Sequence, residues 1–207
     1  MSTPPVPCVA YETVRPLIRS GDLLLCSGSS LFSTMIQHIT RSVFSHVAFL
    51  LRQDAIDRIM VIESVESIGV RTVSLSRYVS NYDGHGHAYP GQLWIGRHAG
   101  FETIAHEHLP AFSQGAVDLF GTAYDTQECL GILARIVQEK LGFLPRAATY
   151  DKTFICSEYA ALCYASVGIL FDYDRRGFIA PADFVKCQDV SLLWEIALEH
   201  PSSQGDL

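Results

Sequence analysis

Charge is scarce in this chain, and no stretch of it is strongly basic. Asp, Glu, Lys and Arg make up 18% of its 207 residues, against roughly 25% in an average soluble protein, so disorder driven by charge repulsion is excluded. Fifteen Lys and Arg face 22 Asp and Glu, a formal net charge of −7. With no basic run to neutralise a phosphate backbone, nucleic acid is not expected as a partner. CxxC pairs are also lacking: Cys8, Cys26, Cys129, Cys156, Cys163 and Cys187 stand far apart, which argues against a zinc knuckle and against a disulfide framework. Long apolar runs are missing too. The longest, Tyr159 to Phe171, is interrupted by Ser166 and Gly168 and falls short of the ~18 residues of a membrane span, so it is read as a buried helix. The opening MSTPPVPCVAYETVRP has neither a basic n-region nor an apolar h-region, and a cytosolic location is expected. No repeat, low-complexity tract or long Pro, Gly or Ser linker divides the chain. One domain over residues 21–200 is therefore expected, with an extension at 1–20 and a tail at 201–207.

What the chain has instead is apolar patterning, with 48% hydrophobic residues. GDLLLC (Gly21 to Cys26) reads as a short buried strand and Leu31 to Thr40 as a helix opened by Ser29 and Ser30. Phe44 to Leu51 and Ile59 to Val65, separated by the polar RQDAID, form a hairpin signal. Further strands are expected at Gly69 to Val73, Gln92 to Arg97 and Val190 to Ile196. The second half turns helical: Phe101 to Phe120, ended or kinked by Pro110; Thr126 to Leu141, with a capping box at Asp125 and Glu128; and Phe154 to Val167, stopped by Gly168. Strands that precede helices favour an α+β fold over an alternating one.

Two residues in this pattern invite chemistry. A cysteine nucleophile needs a helix N-terminus or a nearby imidazole to favour its thiolate, and a base held by a third polar group. Cys156 opens the apolar helix in TFICSEYAALCYASVG, whereas Cys163, two turns on, reads as packing. His46, in FSHVAFLL, is a polar ring in an apolar strand. If the hairpin loop is symmetric about Asp54 and Ala55, Glu63 lies directly opposite His46 and within reach of its ring. Glu66 then falls on the other face. On residue types alone, a cysteine opening an apolar helix is more often buried packing than a nucleophile.

GDLLL, HITRSVFSHVAF, VIESVESIGV, GTAYD, FICSEYA and PADFV together resemble the circularly permuted branch of the NlpC-type papain-like cysteine hydrolases, the YiiX- and YaeF-like proteins. The resemblance runs from about Gly21 to Val185, and its SH and CSE segments are the most specific. It implies a papain-like fold, with an antiparallel sheet or small barrel packed against helices. It also implies a Cys-His-Glu triad with Cys156 as nucleophile, His46 as base and Glu63 as the orienting residue, and places Tyr124 in the lining of the cleft. Glu158 matches the CSE motif; its charge would oppose a thiolate at Cys156 unless it points outward, and a structural role is expected. Related proteins are often exported or lipid-anchored.

The resulting expectation is a cysteine hydrolase of the peptidase or amidase type, acting on a small peptide, amide or acyl substrate through an acyl-enzyme, with no cofactor. Lecithin-retinol-acyltransferase-like enzymes share the spacing, so lipid or amine acyl transfer, or thioester cleavage, is the first rival. A catalytically silent binding module is the second. A metal site is the third: GHGHAYPG carries His85 and His87, and HEH carries His106 and His108. The latter two would point about 200° apart on a helix, and His85 and His87 lie in a glycine loop. No metal ligand is assigned, and a solvated loop is expected there.

Overall fold

The computed structural model describes residues 5–66, 68–123, 155–172 and 179–198. Its centre is a seven-stranded sheet made of β1 (Cys8–Ala10), β2 (Asp22–Gly28), β3 (His46–Gln53), β4 (Arg58–Val65), β5 (Gly69–Ser74), β6 (Gly91–His98) and β7 (Val190–Ala197). The spatial order is β1-β7-β6-β2-β3-β4-β5. All pairs are antiparallel except β1 with β7. The helices are α1 (Tyr11–Val14), α2 (Leu31–Thr40), α3 (Leu75–Ser80), α4 (Ala99–Val117), α5 (Cys156–Ala165) and α6 (Pro181–Lys186). This is an α+β architecture. Among the described residues, no helix is long and apolar enough to cross a membrane. The expected helix over Thr126 to Leu141, with Asp125 and Glu128, lies outside the described residues.

The sheet is covered on both faces, which is why LLLC and VAFLL read as continuous apolar runs rather than alternating ones. Leu23, Leu25, Val47 and Phe49 pack with Phe112, Tyr159 and Tyr164 of α4 and α5. Leu24, Cys26, Ala48, Leu50 and Val61 turn the other way, against Tyr11, Val14, Leu75 and Tyr78. Residues 8–10, within the segment read from sequence as an extension, form the parallel edge strand β1 beside β7. Pro110 does not end α4, which runs on to Val117. Beyond it Phe112 and Ala116 are fully buried, and Phe112 meets Phe49 and Phe101 edge-on. Burial of that turn outweighs the one backbone bond the proline removes.

Two local features place the site. α2 is capped by Ser30, whose side chain accepts from Ser33 N–H, and ends at Arg41 in the left-handed conformation, so the chain reverses into β3. Gly69 begins β5 at φ +86°, where a Cβ would lie 2.1 Å from the Thr122 carbonyl oxygen. Val70 and Thr122 then pair through the backbone (2.9 Å). Only glycine tolerates both the positive φ and that close carbonyl.

Candidate active site

The start of β3 is fixed by its neighbours: Ser45 N–H donates to the Cys26 carbonyl and the Ser45 hydroxyl accepts from Gly28 N–H, each at 2.9 Å. The next residue is His46. Its Nε2 lies 2.8 Å from Glu63 Oε2, which leaves Nδ1 as the nitrogen not engaged by the carboxylate, and Cys156 lines the same cavity. Cys156 is the first residue of α5, after the N-cap Ile155. Burial lowers the His46 pKa, but the neighbouring Cys156 and the carboxylate of Glu63 outweigh it and push the value up to about 10. The ring therefore favours imidazolium, the form that a carboxylate on one side and a sulfur on the other stabilise. Cys156, His46 and Glu63 line one cavity of about 140 Å³.

The expected register needs correction. β3 and β4 pair Phe49 with Ile62 and Leu50 with Val61, pairs whose numbers sum to 111, not the 109 of a loop symmetric about Asp54 and Ala55. The centre moves because a 3-10 turn at Asp54–Ile56 is followed by Asp57 at φ 48°. Continued along the ladder, that register sets Glu63 beside Ala48 and diagonal to His46. A slip of two keeps the residue on its face, where a slip of one would have turned it away. A diagonal pair is still within reach of a glutamate.

Glu63 is fully buried, and its carboxylate is held by two donors that sequence reading missed. Arg71, directly opposite on β5, donates from Nε to Oε1 at 2.9 Å, and the Tyr78 hydroxyl of α3 donates to Oε2. Burial raises the Glu63 pKa, yet the bonds from His46 and Tyr78 and the charges of His46 and Arg71 bring it below its ordinary value. Tyr78 belongs to an aromatic cluster with Tyr82 and Tyr89, at centroid distances of 4.9–5.4 Å, and all three line the cavity. The connection between α3 and β6, which carries Tyr82 and Tyr89, therefore contributes part of the cavity wall.

Other expected residues fall differently. Glu66 was placed on the opposite face, but the chain turns after Val65 and Glu66 lines the cavity. Glu158 does not point outward; it is 8% exposed. Tyr124 lies outside the described residues. His85, His87 and His108 are exposed, and His87 Nδ1 pairs with Asp83 at 2.6 Å. Among the described residues, His98, Cys187 and Asp189 bring a nitrogen, a sulfur and an oxygen within 4.8 Å of one another.

The sheet order, the arrangement of helices and the cavity can be set beside known proteins. No protein-family model matches the sequence, and no curated protein matches it. The structure is similar to the crystal structure of the metalloprotein YiiX from Escherichia coli O157:H7, with a TM-score of 0.60 over 88% of this chain and 98% of that one. The fold is YiiX-like. At 18% identity the likeness carries the fold and no residue roles, so the chemistry of the cavity in this YiiX-like fold rests on its own geometry.

That geometry separates the thiols. Burial pushes Cys163 up to about 12 and Cys26 well above its ordinary value, while Cys156 faces the cavity beside an imidazole. Brief, limiting iodoacetamide at neutral pH is expected to label Cys156 ahead of both. Peptide mapping that found Cys26 or Cys163 labelled first would remove the nucleophile from the site.

Proposed function

We propose that the chain is a cysteine hydrolase of the circularly permuted, papain-like NlpC type, cleaving an amide or ester through a covalent acyl-enzyme. The observation that carries this reading is His46 bonded through Nε2 to a buried carboxylate inside the cavity that Cys156 also lines. Cys156 sulfur attacks the carbonyl carbon, and the electron pair of the C=O moves to oxygen. The first N–H groups of α5, at Cys156 and Ser157, have no intrahelical acceptor and are placed to hold that oxyanion. Collapse of the adduct breaks the bond to the leaving group, which takes the Nδ1 proton of His46. Water, deprotonated by the now neutral ring, then attacks the thioester and releases the acid and the thiolate, with the ring again imidazolium. Glu63 keeps the ring's plane and tautomer throughout, and Arg71 and Tyr78 keep Glu63 ionised. YiiX is a metalloprotein; none of these steps draws on a metal.

The reading is tested by intact-mass analysis after incubation with acyl, peptide and ester probes. A mass increase equal to the acyl group is expected on the wild-type chain and absent from Cys156→Ala. Resolution of the adduct by water supports hydrolysis, whereas resolution only by an added amine or lipid alcohol would assign the same cavity to acyl transfer. No adduct with any probe class, under conditions where iodoacetamide labels Cys156, would favour a binding module.

A further inference from the structure

A second cluster of donor atoms lies at the far end of the same sheet. Leu93 is the β6 residue level with Cys26 and hence with His46. His98 is five residues further along β6, roughly 17 Å away at ~3.3 Å per residue. There β6 ends, α4 begins, and the α6–β7 connection comes alongside. His98 pairs with Val190 in the ladder, Ala99 N–H donates to the Asp189 carbonyl at 2.8 Å, and Val190 N–H donates to the Cys187 carbonyl at 3.1 Å. These backbone bonds hold three residues separated by up to 91 positions at one corner. Their side chains converge there.

We propose that His98, Cys187 and Asp189 form a binding site for one divalent cation of the zinc class, separate from the cavity that holds Cys156. An imidazole nitrogen, a thiolate and a carboxylate are a donor set suited to a borderline-soft ion. A tetrahedral ion with bonds of about 2.0–2.3 Å holds its ligand atoms about 3.3–3.8 Å apart. The present separations are within 4.8 Å, so the donors close by about 1 Å. The parts that move are the accessible ones: His98 is buried, Cys187 half-buried and Asp189 exposed. Lys186, the neighbouring cation, is taken up by Asp183 at 2.6 Å. Cys187 and Asp189 line a surface cavity, which leaves the fourth position to water.

Binding has a definite proton balance. Cys187 releases its thiol proton to solvent. Gly100 N–H donates to His98 Nδ1 at 3.1 Å, so the neutral ring carries its proton on Nε2. An ion on Nε2 moves that proton to Nδ1, and an ion on Nδ1 takes its lone pair, so either mode replaces the Gly100 contact. The chemical consequence is a clamp that fastens the end of β6 and the start of α4 to the α6–β7 connection.

The proposal stands apart from the hydrolase reading, because its test needs no turnover. Chelator-treated full-length chain is titrated with Co²⁺, then with Zn²⁺ in competition. One equivalent of Co²⁺ is expected to give thiolate-to-cobalt charge-transfer absorption, retained in Cys156→Ser and lost in Cys187→Ser, with Co²⁺ affinity lower by at least ~10-fold. Zn²⁺ is expected to raise the melting temperature of wild type but not of Asp189→Asn, a second variant whose exposed position leaves the apo fold intact. Absence of the band, its survival in Cys187→Ser, or its loss in Cys156→Ser would overturn the assignment. An equal zinc-induced shift in Asp189→Asn would do the same.

Discussion

His46→Ala is expected to slow alkylation of Cys156 at pH 7, and any turnover, by about 10²-fold or more, the range that a positioned general base supplies. The ring lines the cavity beside Cys156 and its pKa is raised there, so its removal takes away both the proton acceptor and the cation. The fold should survive, because His46 is the first residue of β3 and is 17% exposed; circular dichroism checks this. An unchanged alkylation rate in a folded variant would show that Cys156 does not depend on His46.

The largest effect on stability is expected at Glu63. Glu63→Leu leaves Arg71, His46 and Tyr78 without the acceptor they share, and breaking a buried charge pair on one side typically costs ~3–5 kcal/mol. For a chain of this size that lowers the melting temperature by roughly 6–20 °C. Glu63→Leu combined with Arg71→Leu should recover part of the loss, since an apolar pair leaves fewer stranded charges. Glu63→Gln also fails to be mild, because each of the carboxylate's neighbours is a donor and the new NH₂ must face one of them. The pH dependence has a fixed sign. The folded pKa of Glu63 lies below its ordinary 4.5, so the stabilisation is present above about pH 4.5 and disappears as pH falls through the folded value. Urea midpoints for wild type and Glu63→Leu that converge on acidification would agree with this; midpoints equal at pH 7 would show that the carboxylate holds nothing.

Local chemistry made part of this site visible in advance. Leu31–Thr40 was marked by its serine cap, and the β3–β4 hairpin by apolar runs flanking a polar loop. His46 and Cys156 stood out as a polar ring in an apolar strand and a thiol at a helix start. What failed was the loop's interior geometry. Asp57 adopts a left-handed conformation that residue types did not announce, and the register moved by two. The pairing of His46 with Glu63 survived because strand faces depend on parity alone. Arg71 was within reach of the same reasoning: the β4–β5 turn is short, and counting outward from it sets Arg71 against Glu63. Tyr78 was not, since Leu75–Ser80 is too short for a periodic signal and its tyrosine arrives by tertiary packing. Pro110 misled for the same reason, as the burial of Phe112 is invisible from sequence.

The order of the three residues along the chain has a consequence for synthesis. His46, Glu63, Arg71 and Tyr78 all lie on consecutive elements between residues 46 and 80, so the base and its carboxylate can assemble on a nascent chain with local contacts only. The thiol follows 76 residues after α3 ends, about 4–15 s later at ~5–20 residues per second. Even then β7 must still be made and inserted between β1 and β6. Of the three residues Cys156 is therefore synthesised last, and a truncated product ending before residue 156 would carry His46 with its buried carboxylate but not the thiol that shares their cavity.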